Sequence, residues 1–291
     1  MLHSANHHRL VRTGFRVRTV DTAHGRMALY DARGVHRGPT LVLVHGVSGR
    51  ASQYAPVATA LLPWCGRVVI PDLIGHGDSD IPSHGLRVST IRTTLTTALD
   101  DIVPEPMVLV GNSLGGMMAG MYAADRTWRV QGLLLSNPGG APIEEVVFQR
   151  VVDLLTPGSH VEALQLARAG SSFQSRVLLH LGARKVLRKL RQPHIREFLL
   201  TATPEDSLTA EEVSRLEMPV WLLTGRDDGV IPDETIDWYR AHLPPHAVVK
   251  EMECYGHTPM AERPASLTQE VRSFLSVLRG YGAAAEIAAA R

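Results

Sequence analysis

The sequence predicts an α/β fold built on a doubly wound, mostly parallel sheet of eight strands. Short and nearly continuous apolar runs recur along the chain, and such runs are typical of strands that are covered on both faces. Amphipathic stretches of helical length lie between most of these runs. Strands that alternate with helices favour a parallel sheet with helices on both sides.

The strands and helices can be assigned in chain order. The predicted strands are Arg16–Asp21, Met27–Asp31, Thr40–His45, Arg67–Pro71, Met107–Val110, Gly132–Leu135, Val220–Thr224 and Ala247–Met252. The predicted helices outside the long interval described next are Ala51–Leu62, Val88–Leu99, Leu114–Ala124, Asp233–His242 and Pro264–Leu278.

One interval breaks this alternation. Between Asn137 and Pro219 no segment reads as a convincing strand, and apolar residues such as Leu154, Leu155 and Val161 recur at helical spacing. We therefore expect a helical insertion after the sixth strand, over an α/β core. The expected division is residues 1–140 for the first part of the core, 141–217 for the insertion and 218–291 for the second part.

Composition excludes several classes of function. The 291 residues include 30 basic and 29 acidic side chains, so the chain has no bulk electrostatic reason to bind nucleic acid. The N-terminus lacks the apolar stretch of a signal peptide, and two cysteines suit a reducing compartment, so we expect a cytoplasmic protein. The uncharged run Met107–Ala124 reads as strand, turn and helix, which predicts no stable membrane insertion. A homo-oligomer is left open.

The strongest chemical signal is the pentapeptide Gly111-Asn112-Ser113-Leu114-Gly115. Because it follows an apolar strand and opens a helix, it has the context that a nucleophile elbow requires. The sharp turn would hold the Ser113 hydroxyl above the strand ends and put the Leu114 N–H at a helix N-terminus, where donors favour an oxyanion. The competing interpretation is a glycine-rich turn that packs a helix closely on the sheet.

A serine nucleophile needs a base, and a base is usually oriented by an acid. His257 is the candidate base because it lies in a loop after the last predicted strand and before the final helix. The candidate acid is Asp227 or Asp228, which follow the strand Val220–Thr224. Both loops lie at the sheet edge predicted for Ser113.

These motifs resemble those of the α/β-hydrolase superfamily, in particular its capped serine hydrolases. The matching segments are LVLVHG, PDLIGHGDSD, VLVGNSLGG, LLTGRDDGVIP and YGHTPMAERP. The chain order serine, acid, histidine is also that of the superfamily. The resemblance implies that the insertion is a substrate-selecting cap and that neither a cofactor nor a metal is needed.

The resemblance also assigns roles to individual residues. It implies that Asp228 is the acid, with Asp227 in a turn, and that the backbone N–H groups of Val47 and Leu114 form the oxyanion hole. It makes His45 a structural residue that holds the loop after the third strand. Some members carry the acid after the sixth strand, but Asn137 stands there and cannot serve.

The function predicted from the sequence is hydrolysis of a carboxylic ester with a small or medium acyl group, through Ser113, His257 and Asp228. The closest alternative is a hydrolase that cleaves carbon–carbon bonds of dienoate ring-cleavage products. The segments GNSLGG and NPGG resemble those of that subfamily. It requires an arginine in the cap, and the sequence does not distinguish among Arg168, Arg176 and Arg184. A thioesterase, an amidase and a cofactor-free perhydrolase also stay open, and a non-catalytic protein that binds a hydrophobic ligand is the alternative of another class.

The predicted cap contains a basic segment, Ala183–Arg196. It could recognise an anionic substrate or dock on a membrane surface. We favour a solvated basic face whose apolar side packs on the core, because the charge of the whole chain is balanced.

Overall fold

The computed structural model describes residues 2–35, 37–173 and 175–289. Its eight strands form one sheet in the order β1-β2-β4-β3-β5-β6-β7-β8. The first two neighbouring pairs, β1–β2 and β2–β4, are antiparallel, and every other pair is parallel. The predicted mostly parallel sheet of eight strands is confirmed. The strands are β1 (Arg16–Thr22), β2 (Gly25–Arg33), β3 (Thr40–Val44), β4 (Arg67–Pro71), β5 (Met107–Ser113), β6 (Val130–Pro138), β7 (Val220–Gly225) and β8 (Val248–Met252).

Helices cover both faces of this sheet. All residues of β3 and β5 are buried, as expected for strands with apolar cover on each side. Val42 and Val44 of β3 belong to one apolar cluster, and the alternate residues Leu41 and Leu43 belong to the other. The helices of the core are α1 (Leu2–Arg12), α2 (Ala55–Leu61), α3 (Val88–Ile102), α4 (Leu114–Asp125), α10 (Asp233–His242), α11 (Pro259–Glu262) and α12 (Pro264–Ala289).

The insertion between β6 and β7 is helical where the structure describes it, and these cap helices confirm the predicted insertion. They are α5 (Glu145–Leu155), α6 (His160–Ala169), α7 (Arg176–Leu190), α8 (Pro193–Thr201) and α9 (Ala210–Ser214). The exact division at residues 141 and 217 stays a prediction.

One helix was not predicted, and one predicted helix needs correction. The sequence did not predict α1, whose helix is mostly polar and contributes Leu10 to the core. The predicted helix Ala51–Leu62 is divided, because Ala51–Tyr54 and Leu62–Trp64 are 3-10 turns on either side of α2. Prolines at the first turns of α2 and of the second 3-10 turn fit this division, since proline lacks the N–H that a continuous helix needs.

A buried arginine joins the antiparallel and parallel parts of the sheet. Arg67, at the start of β4, is only 5% exposed. Its guanidinium donates two hydrogen bonds of 2.8 Å to the carboxylate of Asp31 on β2, and a third to the carbonyl of Ile102. This two-pronged contact fixes the pairing of β2 with β4.

The sheet brings the predicted site residues to one edge. Strands β3, β5, β6, β7 and β8 run parallel, so their carboxyl ends meet on the same side of the molecule. Ligands of doubly wound sheets bind at such an edge. No helix within the described part of the chain is long and apolar enough to cross a membrane.

Candidate active site

Ser113 occupies a strained turn between β5 and α4. Its backbone has φ 56° and ψ −125°, which side-chain-bearing residues rarely adopt. The neighbouring glycines allow the turn: a Cβ on Gly111 would lie 2.2 Å from the Gly115 carbonyl oxygen, and a Cβ on Gly115 would lie 2.3 Å from that of Val44. The local sequence therefore forms the sharp elbow that its pattern predicts.

The loop after β3 passes directly against Ser113. A Cβ on Gly46 would lie 2.9 Å from the Ser113 Cβ, so only glycine fits this approach. The loop then turns at Ser48, which has a positive φ of 55°, and the Gly49 N–H donates to the Gly46 carbonyl. Val47, in the middle of this turn, and Leu114, the first residue of α4, line the same cavity as Ser113. Their N–H groups stay the predicted oxyanion donors.

His45 holds this loop in place. Its Nδ1–H donates to the Gly46 carbonyl at 2.8 Å, and its Nε2 accepts the Leu73 N–H at 3.1 Å. Burial, together with the neighbouring His76, lowers the pKa of His45 well below its ordinary value, so the ring is neutral. These contacts agree with the structural role expected from the sequence.

Asp228 and His257 are paired at the same edge. Asp228 Oδ2 accepts the His257 Nδ1–H at 2.9 Å. Its other oxygen, Oδ1, accepts the backbone N–H groups of Val230 and Ile231 at 2.8 and 3.3 Å. The Asp228 side chain is 3% exposed, whereas Asp227 faces solvent. Of the two adjacent carboxylates, Asp228 is the one that contacts the imidazole.

This pairing changes the protonation of His257. Burial lowers the pKa of the imidazole, but the charge and hydrogen bond of Asp228 outweigh burial, and the charge of Glu262 adds to them. The pKa of His257 therefore lies above its ordinary value, which is the direction expected for a base that stabilises positive charge beside a carboxylate.

Two asparagines fix the backbone of the histidine loop. The Asn112 side-chain amide donates to the His257 carbonyl at 2.9 Å, and that of Asn137 donates to the Gly256 carbonyl at 2.8 Å. Asn137 Oδ1 also accepts the Gly225 N–H at the end of β7. The sequence placed Asn112 only within the elbow motif and Asn137 only as a residue unable to act as acid. The available signal was an amide side chain at the carboxyl end of each of two central strands.

The bond from Asn112 ties the histidine loop to the residue that precedes Ser113. Among the described residues, the His257 imidazole is hydrogen-bonded to Asp228, and no hydrogen bond joins it to the Ser113 hydroxyl. Catalytic hydrogen bonds commonly tighten only when substrate binds.

The cap contacts both loops that carry the acid and the histidine. Where α6 ends, the Ala169 carbonyl accepts the Gly229 N–H at 2.7 Å, and the Gly170 carbonyl accepts the His257 N–H at 2.8 Å. Farther along, the ammonium of Lys189 on α7 donates to the Ser48 carbonyl at 2.6 Å, beside Val47. The cap thus also touches the loop of Val47, one of the two predicted oxyanion donors.

Glu262 links the cap to the histidine loop. Its Oε2 accepts the Ser172 N–H at 2.9 Å and the Ser172 hydroxyl at 3.0 Å. Its Oε1 accepts the Thr258 hydroxyl at 3.1 Å, next to His257. The carboxylate therefore positions the segment that follows the imidazole, a role that sequence reasoning missed.

A cavity of about 130 Å³ opens on Ser113 between the core and the cap. Apolar side chains form most of its wall, and Asp206 is the charged residue among the lining side chains. Met117, the first methionine after the elbow, lines the cavity and, like Met118 and Met121, belongs to the core cluster. The cap contributes Ile143, Phe148, Val151, Val152, Leu155, Phe198 and Leu199 to the lining.

Comparison with known proteins agrees with this architecture. The model of the Alpha/beta hydrolase family matches residues 41–270, and the chain belongs to that family. Lipase 1 of Psychrobacter immobilis is 24% identical over 278 residues, which cover 92% of this chain and 86% of the lipase. The pimeloyl-[acyl-carrier protein] methyl ester esterase of Nitrosomonas europaea is 28% identical, with 82% of this chain and 96% of the esterase covered. The crystal structure of a membrane phospholipase A superposes with a TM-score of 0.81 at 25% identity, covering 96% of this chain and 91% of the phospholipase.

Proposed function

We propose that the protein is a serine hydrolase that cleaves carboxylic esters with a small or medium, uncharged acyl group. The observation that carries this proposal is the buried Asp228–His257 hydrogen bond of 2.9 Å, held against the nucleophile elbow by the bond from Asn112 to the His257 backbone. A protein that only stores a hydrophobic ligand has no need for a carboxylate that orients an imidazole in a loop bonded to a strained serine turn.

In the proposed reaction, the Ser113 hydroxyl attacks the ester carbonyl carbon while His257 Nε2 takes its proton. Asp228 keeps the proton of the neutral ring on Nδ1 and stabilises the imidazolium that forms. The N–H groups of Leu114 and Val47 donate to the tetrahedral oxyanion. The alcohol leaves with the proton from His257. A water molecule, deprotonated by the same ring, then attacks the acyl carbon, and the ring returns this proton to the Ser113 oxygen as the acid is released.

The cavity supports the substrate class. Its volume of about 130 Å³ is close to that of a cavity known to hold benzene, so it suits roughly six carbon atoms of an acyl chain. Its apolar wall favours an aliphatic or aromatic acyl group. The relatives named as a lipase and as a methyl ester esterase support ester hydrolysis as the bond type.

The same cavity disfavours the carbon–carbon bond alternative. A dienoate substrate carries a carboxylate, whose burial requires a cationic partner. Arg168, Arg176 and Arg184 are all absent from the cavity lining, in which Asp206 adds a negative charge. We therefore rank the ester above the dienoate.

The test compares turnover of p-nitrophenyl esters of increasing acyl length with turnover of a dienoate substrate. Labelling by a fluorophosphonate probe tests the nucleophile separately. We expect labelling at Ser113, an optimum near short or medium chains, and a loss of kcat on the order of 10⁶ for Ser113→Ala. Wild-type turnover by Ser113→Ala, or folded protein that the probe does not label, would rule out the mechanism. Faster turnover of the dienoate than of any ester would instead support a carbon–carbon bond hydrolase.

A further inference from the structure

The cap holds a concentration of positive charge that the composition of the whole chain conceals. Between Glu162 and Glu197 the sequence has eight arginine and lysine residues and no aspartate or glutamate. Because the whole chain has a net charge of +1, its other residues together carry −7. Five of the eight cations belong to α7, namely Arg176, Arg184, Lys185, Arg188 and Lys189.

None of the eight cations takes part in an ion pair with a carboxylate among the residues that the structure describes. Lys189 is half-buried against the core, and burial together with the charges of Lys185 and Arg50 lowers its pKa to about 8. Arg176, Arg184, Lys185 and Arg188 are exposed. The exposed side of α7 therefore carries positive charge that no described carboxylate pairs with.

The same helix exposes apolar side chains. Val177, Leu178 and Leu181 are 68%, 53% and 58% exposed, and their spacing puts them on one side of the first turns of α7. From the sequence we expect the apolar side of the basic segment to pack on the core. Val186 and Leu190 do so, but the first turns carry a second apolar set that no described residue buries.

Apolar side chains flanked by unpaired cations on one helix are the pattern of a segment that lies in the interface of an anionic membrane. The apolar side chains enter the boundary between headgroups and acyl chains, and the cations contact lipid phosphates. A nucleic acid would satisfy the cations but would leave the three aliphatic side chains exposed to water.

We propose that α7 docks the cap on the surface of an anionic lipid bilayer. In this arrangement Val177, Leu178 and Leu181 enter the interface, and Arg176, Arg184, Lys185 and Arg188 face the headgroups. The association is peripheral, and it requires no helix that crosses the bilayer. The docking helix is also joined to the candidate active site, through Lys189 and the Ser48 carbonyl.

The test is co-sedimentation of the full chain with vesicles of phosphatidylcholine alone and of phosphatidylcholine mixed with phosphatidylglycerol. Using the Ser113→Ala variant as the parent separates docking from hydrolysis, so that failure of one does not imply failure of the other. Two variants of this parent remove the features separately: Val177→Ser/Leu178→Ser/Leu181→Ser and Arg184→Gln/Lys185→Gln/Arg188→Gln. Arg150→Gln, which removes an exposed cation of α5, is the matched control.

We expect the parent and the Arg150→Gln control to bind mixed vesicles and to bind phosphatidylcholine weakly. The charge variant should lose about fivefold in partition coefficient per cation removed, and the serine variant should lose at least about tenfold. Circular dichroism checks that each variant is folded.

Equal sedimentation of the parent with both kinds of vesicle, or unchanged binding by both variants, would overturn the proposal. Sedimentation velocity tests whether a second copy of the chain covers α7 instead. This would be shown by a parent that is dimeric and does not bind vesicles, and by a triple-serine variant that is monomeric.

Discussion

Replacing Asp228 with asparagine tests the proposed direction of proton transfer, because the surrounding hydrogen bonds dictate how the new amide must orient. In the native protein Oδ1 accepts the N–H groups of Val230 and Ile231, and Oδ2 accepts the His257 Nδ1–H. Asparagine can keep the first two bonds only with its oxygen at the Oδ1 position. Its NH₂ group then points at His257 Nδ1.

The amide must donate to the ring, so the ring proton moves from Nδ1 to Nε2. A neutral imidazole with its proton on Nε2 cannot accept the proton of Ser113. We therefore expect kcat to fall by a factor on the order of 10⁴, as in serine protease triads, which corresponds to about 5 kcal/mol of transition-state stabilisation.

The assay is steady-state hydrolysis of a soluble p-nitrophenyl ester at saturating concentration, with folded protein quantified independently. The matched control is Asp227→Asn, which changes the adjacent exposed carboxylate and should keep wild-type turnover. An Asp228→Asn enzyme that retains more than about a tenth of wild-type kcat would refute the reasoning. An equal loss in both variants would refute it as well.

Four further predictions concern the pH profile, the residue Glu262, the cavity and the sheet. The acid limb of kcat/KM should have its midpoint above 6.5, because a raised pKa keeps His257 protonated and inactive to a higher pH. Glu262→Gln should lower this midpoint, because it removes a charge that raises the pKa of His257. It should also lower kcat on the order of tenfold, because the imidazole would be slightly misplaced. An unchanged midpoint would contradict the electrostatic role. Phe148→Ala should shift the ester chain-length optimum toward longer acyl groups; an unchanged optimum would remove Phe148 from the acyl site. Arg67→Met should lower the free energy of unfolding in urea by about 3 kcal/mol, since it leaves Asp31 with only the half-exposed Arg18 as its partner, whereas Arg18→Met, which keeps the buried pair, should cost at most about 1 kcal/mol.

Much of the fold is readable from the sequence because the central strands are buried on both faces. A strand such as β3 has no solvent-facing side, so its five residues form an uninterrupted hydrophobic signal. Helix α1 has no such signal, since a mostly polar helix can be fixed by a few contacts such as that of Leu10. Its formation depends on tertiary contacts, which a local pattern does not contain.

The candidate site also combines features that the sequence predicts with contacts that it does not predict. The positions of Ser113 and of the two loops with Asp228 and His257 follow from motifs that are local in the chain. The amide of Asn112 meets the His257 carbonyl across 145 positions, and no local pattern specifies that contact. Helical periodicity likewise identifies the apolar residues of α7 but does not tell which of them another element covers.

The attachment of the cap at three points restricts how this enzyme can acquire new substrates. Ala169, Gly170 and Lys189 bind backbone groups of the loops that carry Asp228, His257 and Val47, so a foreign lid grafted at this position would remove those contacts together. Diversification is therefore easier by point substitution of wall residues such as Val152 and Phe198, which shape the chamber without anchoring the reactive loops. Directed evolution of substrate preference should begin there and leave the α6–α7 connection intact.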